Sequence, residues 1–224
     1  MKKIIVCGDS FCTSVKTDRY HFSQLLADKY NYDVINLAHG GFSNIGICFQ
    51  IREAIGLNPD IIIYNTTDHT RFELIMNGNF HINNGLKNIV YFQPAAESFD
   101  NPVTGNPGSP VWLTNHTRLV DPDISIRKDH REAADIYVKY FLDYELKKET
   151  ASWAVGYWHQ QIVTAGIIPL RVSPEDELAK PMYEYAQNNQ NCRAYYHTDP
   201  ATQEIVAGNI AKELEKLLKI DCNS

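Results

Sequence analysis

The chain has 224 residues, of which 44% are hydrophobic and 21% charged, and its formal net charge at pH 7 is −6. This composition fits one soluble domain, or a domain with one large insertion. The acidic balance argues against a nucleic-acid binder, because phosphate requires a basic face. No apolar run approaches the roughly 20 residues that cross a bilayer, and the apolar run after Met1 is too short for a signal peptide.

Five cysteines, an odd number without CxxC spacing, predict reduced thiols and a cytoplasmic location. Cys7 falls in a predicted strand and Cys48 in a predicted apolar helix, so we expect both to be buried. Cys12 follows Ser10 by two residues, and no motif places a base beside it. We therefore do not expect Cys12 to act as a nucleophile.

The first third of the chain alternates strand and helix patterns. Apolar runs predict strands at residues 2–7, 33–37 and 60–64, and helical spacing predicts helices at 17–30 and 45–57. Ser43 or Asn44 can cap the second helix. Repeated β-α-β units predict a parallel sheet with right-handed crossovers.

The pattern lapses at about residues 76–126, where Asn, Gly and Pro are frequent and aromatic residues are interleaved. A stretch of this length without periodicity is typical of a functional lid or binding loop. The alternative is a solvated insertion with a short hairpin of its own. The sequence does not decide between them.

Regular patterns return in the last part of the chain. Residues 130–165 predict one long helix or two in tandem, followed by a strand at 167–172, a helix at 175–188 and a brief fifth strand at 193–196. Asp199-Pro200 predicts an N-cap and first turn for a terminal helix. The whole pattern predicts a single α/β domain, residues 1–224, with a loop-rich insertion at about 76–126. Its architecture is a three-layer α/β/α sandwich around a flavodoxin-like parallel sheet of about five strands.

Ser10 is the candidate nucleophile. The segment Gly8-Asp9-Ser10-Phe11 ends the first predicted strand, and its glycine lets the backbone turn sharply. In open α/β sheets, sites form at the carboxyl ends of the strands. An isolated serine in such a loop is more often a helix cap, so a catalytic role requires partners from elsewhere in the chain.

Three other segments are expected at the same edge of the sheet. Gly41 follows the second strand, residues 65–68 follow the third, and His197 precedes the last helix. A nucleophilic serine needs a base within reach and donors for the developing oxyanion. The predicted topology brings candidates for both to Ser10.

These segments resemble the sequence blocks of the SGNH (GDSL-type) hydrolases. Residues 8–11 resemble the first block, residues 36–41 the second, residues 65–68 the third, and His197 the catalytic histidine of the fifth. The resemblance implies an SGNH hydrolase fold and a serine ester hydrolase with Ser10 as nucleophile and His197 as base. It also implies an oxyanion hole formed by the backbone N–H groups of Ser10 and Gly41.

Two positions depart from the family pattern. The third-block asparagine, an oxyanion donor, falls on Thr67 here, with Asn65 as a possible substitute. The acid that orients the histidine falls on Ala194. Asp199 is the nearest carboxylate, but its position favours an N-cap role. A Ser-His dyad, or a weak or inactive enzyme, is therefore an open alternative to a triad.

The substrate class follows from fewer residues. Asp68, His69 and Phe42 are candidate substrate contacts, although the pattern of residues 68–73 favours a pair of Arg71 and Glu73 at a helix start. Aromatic and amide side chains in the insertion suit an O-acetylated carbohydrate. The second hypothesis is an inactive SGNH-fold protein that serves as a carbohydrate-binding or structural module. We expect no metal site, because neither HxH nor HExxH spacing occurs. We also expect no cofactor, since no GxGxxG follows the first strand, and no nucleic-acid or membrane partner.

Overall fold

The structure is a computed structural model. It describes residues 1–13, 20–39, 42–67, 69, 72–75, 89–94, 111–114, 136, 140–141, 143–173, 176–188 and 198–221. Contacts divide the chain into two compact units. The first comprises Met1–Gly40, Ile47–Thr66 and Val155–Ser224, and the second comprises Gly41–Gly46 and Thr67–Ala154. The assignment of the whole chain to a single domain stays a prediction.

The helices and strands follow one another in the predicted alternation at both ends of the chain. Their bounds are β1 Lys3–Cys7, α1 Phe22–Tyr30, β2 Asp33–Asn36, α2 Asn44–Gly56, β3 Ile61–Tyr64, β4 Phe72–Ile75, β5 Ile89–Pro94, β6 Val111–Thr114, α3 Tyr144–Thr164, β7 Ile168–Arg171, α4 Lys180–Asn188 and α5 Pro200–Asp221.

The first unit is built on a parallel sheet with the strand order β2-β1-β3-β7. β1 lies between β2 and β3, with Ile4 paired to Val34 on one side and to Ile61 on the other. This is the predicted flavodoxin-like order. Among the described residues the sheet has four strands instead of about five, and the strand predicted at 193–196 lies outside them.

Helices cover both faces of this sheet. Successive side chains of a strand point to opposite faces, so a continuously apolar strand presents apolar residues to a helix layer on each side. Ile4 and Val6 of β1, with Ile61 and Ile63 of β3, join a core that includes buried residues of α1, α4 and α5. On the opposite face, the Tyr64 hydroxyl is 2.8 Å from His159 Nδ1 of α3. The predicted three-layer α/β/α class is confirmed.

Polar side chains fix where two of the helices begin. Ser43, and not Asn44, caps α2, since its hydroxyl accepts from Ile45 N–H at 3.1 Å. α4 begins at Lys180, five residues later than predicted. Before it, Asp176 Oδ2 accepts from Ser173 N–H at 2.8 Å and holds residues 176–179 in turns.

The middle of the chain contains a second, antiparallel sheet in the order β4-β5-β6. β4 pairs with β5 through Phe72 and Phe92, and β5 pairs with β6 through Tyr91 and Thr114. The sequence alternative of an insertion with its own hairpin is the one that agrees with these strands. The helix start considered near Glu73 was wrong, since Glu73 lies in β4.

Two predictions that were made from the composition, on the cysteines and on membrane spans, can be compared with the structure. Cys7, Cys12 and Cys48 are free thiols, as expected, and all three are buried, which was predicted for Cys7 and Cys48. Of the helices that the structure describes, none combines the length and apolarity needed to cross a bilayer.

The start of β1 is tied to the start of β3 by Asp60. Its carboxylate accepts from Lys2 Nζ at 2.9 Å and from Lys3 N–H at 2.8 Å. The hydrogen bond from Lys2, then that from Lys3, holds the pKa of Asp60 below its ordinary value.

Asp60→Asn should therefore lower the free energy of unfolding at pH 7 by about 0.5 kcal/mol, a small amount because the pair is exposed. A lowered folded-state pKa stabilises at pH values above the unfolded pKa, and this contribution is lost as pH falls through the folded pKa. Urea unfolding should show the difference at pH 7 and no difference at pH 2. Asp33→Asn, which removes an exposed carboxylate at the same end of the sheet, is the control; a pH-independent difference for Asp60→Asn would contradict this account.

Candidate active site

The turn that carries Ser10 begins at Gly8, where only glycine fits. Its φ is +155°. A Cβ placed there would lie 2.7 Å from the Cys12 Cβ and would overlap the side-chain oxygen of Asn65. The absence of a side chain at Gly8 lets the carboxyl ends of β1 and β3 approach each other.

The side chain of Gln50 holds both backbone groups of Gly8. Gln50 Oε1 accepts from Gly8 N–H at 2.6 Å, and Gln50 Nε2 donates to the Gly8 carbonyl at 3.2 Å. Sequence reasoning missed Gln50. The signal was its spacing, because a polar residue three after Ile47 and one before Ile51 falls on the buried side of α2.

Asp9 and Asn65 form a reciprocal pair immediately before Ser10. Asp9 N–H donates to Asn65 Oδ1 at 3.0 Å, and Asn65 Nδ2 donates to Asp9 Oδ1 at 2.7 Å. The same Asp9 oxygen accepts from Phe11 N–H at 3.0 Å. Both side chains are buried, so each needs these partners. The Asp9 side chain therefore has a structural role, since it accepts from a loop amide and from Asn65.

A second set of polar side chains holds the far side of the turn. Asn36 Nδ2 donates to the Cys12 carbonyl at 2.8 Å and to Ser23 Oγ at 3.1 Å. His21 Nδ1 accepts from Ser23 N–H at 3.2 Å, so its Nε2–H is the atom that donates to the Phe11 carbonyl at 3.3 Å. The beginning of α1 is thereby fixed to the residues that follow Ser10.

Ser10 is buried within this turn, at the carboxyl end of β1. β1 and β3 are adjacent, and the chain runs from β1 outward to β2 before it returns to β3. Such a reversal of strand order is where ligands bind in open α/β sheets. Ser10 and Asn65 therefore stand at the switch point of the sheet.

Several sequence-predicted site residues lie outside the described residues, namely Gly41, Asp68 and His197. Their roles stay predictions. His69 is described as a partly exposed turn residue. Phe42 is fully buried, and a ring without exposed surface does not favour the predicted substrate contact.

Thr67 is held by Asn44, which sequence reasoning had considered only as a cap. Asn44 Oδ1 accepts from Thr67 N–H and Asn44 Nδ2 donates to the Thr67 carbonyl, each at 2.9 Å. The Thr67 backbone amide is therefore committed to Asn44. An oxyanion role for Thr67 would have to use its hydroxyl.

Two other candidate site residues, Asn65 and Asp199, have structural roles in the described contacts. Both side-chain amide hydrogens of Asn65 are used, one by Asp9 and one by the Tyr183 hydroxyl at 3.2 Å, which does not favour an oxyanion role. Asp199 Oδ1 accepts from Thr202 N–H at 2.7 Å, so Asp199 caps α5, the role that the sequence favoured.

Cys12 is not a competing nucleophile in this geometry. Its side chain has no exposed surface. Burial, and then the charge of Asp9, raise the pKa of its thiol well above the ordinary value, which disfavours the reactive thiolate. Burial also raises the pKa of Cys7.

No family model matches the chain, and no curated protein matches it. Solved structures with a similar chain trace include one named for the G-D-S-L lipolytic family, from Desulfitobacterium hafniense, with 9% identity, a TM-score of 0.46, and coverage of 95% of this chain and 99% of that one. A second is the psychrotrophic esterase EstA of Pseudoalteromonas, with 11% identity, a TM-score of 0.42, and coverage of 98% and 100%. A third is TesA, with 13% identity, a TM-score of 0.40, and coverage of 96% and 99%.

Gly8→Ala should destabilise the protein by about 3 kcal/mol or more, because the new methyl group meets Cys12 and Asn65 at a positive φ. Gly56→Ala is the matched control, since a Cβ there meets nothing within 4 Å. At that position, the end of α2, alanine should be neutral or stabilising by up to about 0.5–1 kcal/mol. Thermal unfolding of both variants measures the difference, and equal melting temperatures would contradict the tight approach at Gly8.

Proposed function

We propose that the protein is a serine ester hydrolase of the SGNH type with Ser10 as its nucleophile. The observation that supports this most is the bonding around Ser10. A buried serine follows a glycine-dependent turn at the switch point of the sheet, and the turn is bonded to three neighbouring segments through Asn65, Gln50 and Asn36. Catalysis favours a nucleophile whose position is fixed before substrate binds.

In the proposed reaction, Ser10 Oγ attacks the ester carbonyl carbon while His197 takes the hydroxyl proton. The carbonyl oxygen becomes an oxyanion, and the ester C–O bond then breaks as His197 returns the proton to the leaving alcohol. Water, deprotonated by the same imidazole, attacks the acyl-enzyme and releases the carboxylic acid with Ser10 regenerated. The role of His197 comes from the sequence block alone.

The oxyanion donors are proposed from the sequence blocks as the N–H groups of Ser10 and Gly41, with the Thr67 hydroxyl as the third. We assign Asn65 to positioning instead, because its amide hydrogens are bonded to Asp9 and Tyr183. A hydroxyl in place of an amide donor supports a slower enzyme, since loss of one oxyanion donor typically costs about 10²–10³ in turnover.

The histidine is proposed to act in a dyad. Ala194 occupies the position of the family's acid, and Asp199 is engaged at the start of α5. The same two facts favour the second candidate, an inactive carbohydrate-binding or structural module. For an active enzyme we propose a small acyl ester, with an O-acetylated carbohydrate as the first substrate to test.

The test is hydrolysis of p-nitrophenyl acetate and acetylated sugars, together with covalent labelling by a fluorophosphonate probe. Wild type should hydrolyse the ester and take up one probe molecule, and peptide mapping should place it on Ser10. Ser10→Ala should lose activity by at least about 10³-fold and remain unlabelled. Ser43→Ala, which removes a buried hydroxyl from a helix cap, is the control. It tests whether the loss of any buried hydroxyl lowers activity. If the folded wild type neither reacts with the probe nor hydrolyses any of the esters, the result would favour the binding module.

A further inference from the structure

Tyr183 of α4 contacts the nucleophile turn from a segment that the sequence blocks do not include. Its hydroxyl oxygen is 3.2 Å from Asn65 Nδ2, and its ring packs on Phe11 with centroids 4.3 Å apart. Phe11 directly follows Ser10. The Tyr183 side chain therefore contacts both Asn65, which supports the turn, and Phe11, which belongs to the turn.

Tyr183 also supports the orientation of the Asn65 amide that the two hydrogen bonds with Asp9 define. The Tyr183 hydroxyl donates to the Val172 carbonyl at 3.5 Å, and a carbonyl can only accept. The phenol hydrogen is thereby used, and the phenol oxygen is left to accept from Asn65 Nδ2. With its nitrogen on that side, Asn65 presents its oxygen to Asp9 N–H, as observed.

The helix that carries Tyr183 is itself anchored at the carboxyl edge of the sheet. Ser173, the second residue after β7, has its Oγ 2.6 Å from the Thr66 hydroxyl and accepts from Thr66 N–H at 3.1 Å. Asp176 N–H donates to the Ser173 carbonyl at 2.9 Å and leads into α4. Met182, next to Tyr183, is fully buried in the core. Tyr183 is therefore presented from a fixed element.

We propose that Tyr183 is a positioning residue for Ser10 and acts through the orientation of the Asn65 amide. This rests on the proposed function, since it assigns Tyr183 a part in the reaction of that same site. Loss of the hydroxyl leaves a buried Asn65 hydrogen without its acceptor and weakens the restraint on the amide. The turn before Ser10 then becomes looser, while the fold and the Phe11 contact remain.

The first measurement does not depend on activity. In Tyr183→Phe, amide hydrogen exchange at Asp9 and Phe11 should be at least about 5-fold faster than in wild type, because their bonds to Asn65 and Asp9 loosen. Tyr157→Phe, the same change at an exposed tyrosine of α3, should exchange as wild type does. Unchanged exchange in Tyr183→Phe would overturn the proposal.

The second measurement uses ester hydrolysis and fluorophosphonate labelling. Tyr183→Phe should lower kcat and the labelling rate about 10-fold with KM unchanged, because misplacement of a nucleophile affects the chemical step. In an Asn65→Ala background the same substitution should have no further effect. A raised KM with unchanged kcat would overturn the proposal, since it would place Tyr183 against substrate.

The two measurements separate the two hypotheses. If wild type neither hydrolyses esters nor reacts with the probe, the proposed hydrolase is wrong, and the exchange result alone decides whether Tyr183 orders the turn. If wild type is active and Tyr183→Phe matches it in exchange and labelling, the positioning role is wrong and the hydrolase stands. Should Asn65→Ala fail to fold, Tyr183→Phe still decides each case.

Discussion

The reciprocal pair of hydrogen bonds between Asp9 and Asn65 is the constraint on which the rest of the site depends. It joins the carboxyl ends of β1 and β3, two adjacent parallel strands, with one bond of 2.7 Å and one of 3.0 Å. Backbone hydrogen bonds pair the strands and also reach into the turn, where the Gly8 carbonyl accepts from His39 N–H at 2.9 Å and the Asp9 carbonyl accepts from Cys12 N–H at 3.1 Å. The carboxylate and the amide extend that pairing past the strand ends, and Ser10 follows directly.

Burial makes this arrangement specific. Asp9, Asn65 and Gln50 are all buried, and a buried polar group that lacks a partner costs about 1–3 kcal/mol. A path of the turn that separated these side chains from their partners would leave buried polar groups unsatisfied. The glycine at position 8 completes the geometry, because any side chain there would overlap the Asn65 amide. Together these features give the chain one way to turn after β1.

The parallel sheet was predictable because its signals are local. Continuous apolar runs such as residues 61–64 identify buried strands, and the alternation with helical spacing identifies the crossovers. The partners of the polar supports were not predictable, because each bond joins segments that are far apart in sequence. Asn65 bonds a residue 56 positions away and Gln50 one 42 positions away. For the insertion, the sequence left a short hairpin as one of two alternatives and did not predict the three strands β4-β5-β6, because they alternate with stretches of turn-forming residues.

A double-mutant cycle between Asp9 and Asn65 tests the central claim most directly. The free energy of unfolding of wild type, Asp9→Ala, Asn65→Ala and the double variant gives the coupling of the two side chains without reference to activity. A reciprocal buried pair predicts a coupling of about 1–3 kcal/mol, so the double variant should be much less destabilised than the sum of the single ones. Additive effects, with coupling near zero, would mean that the turn carrying Ser10 is held by something else.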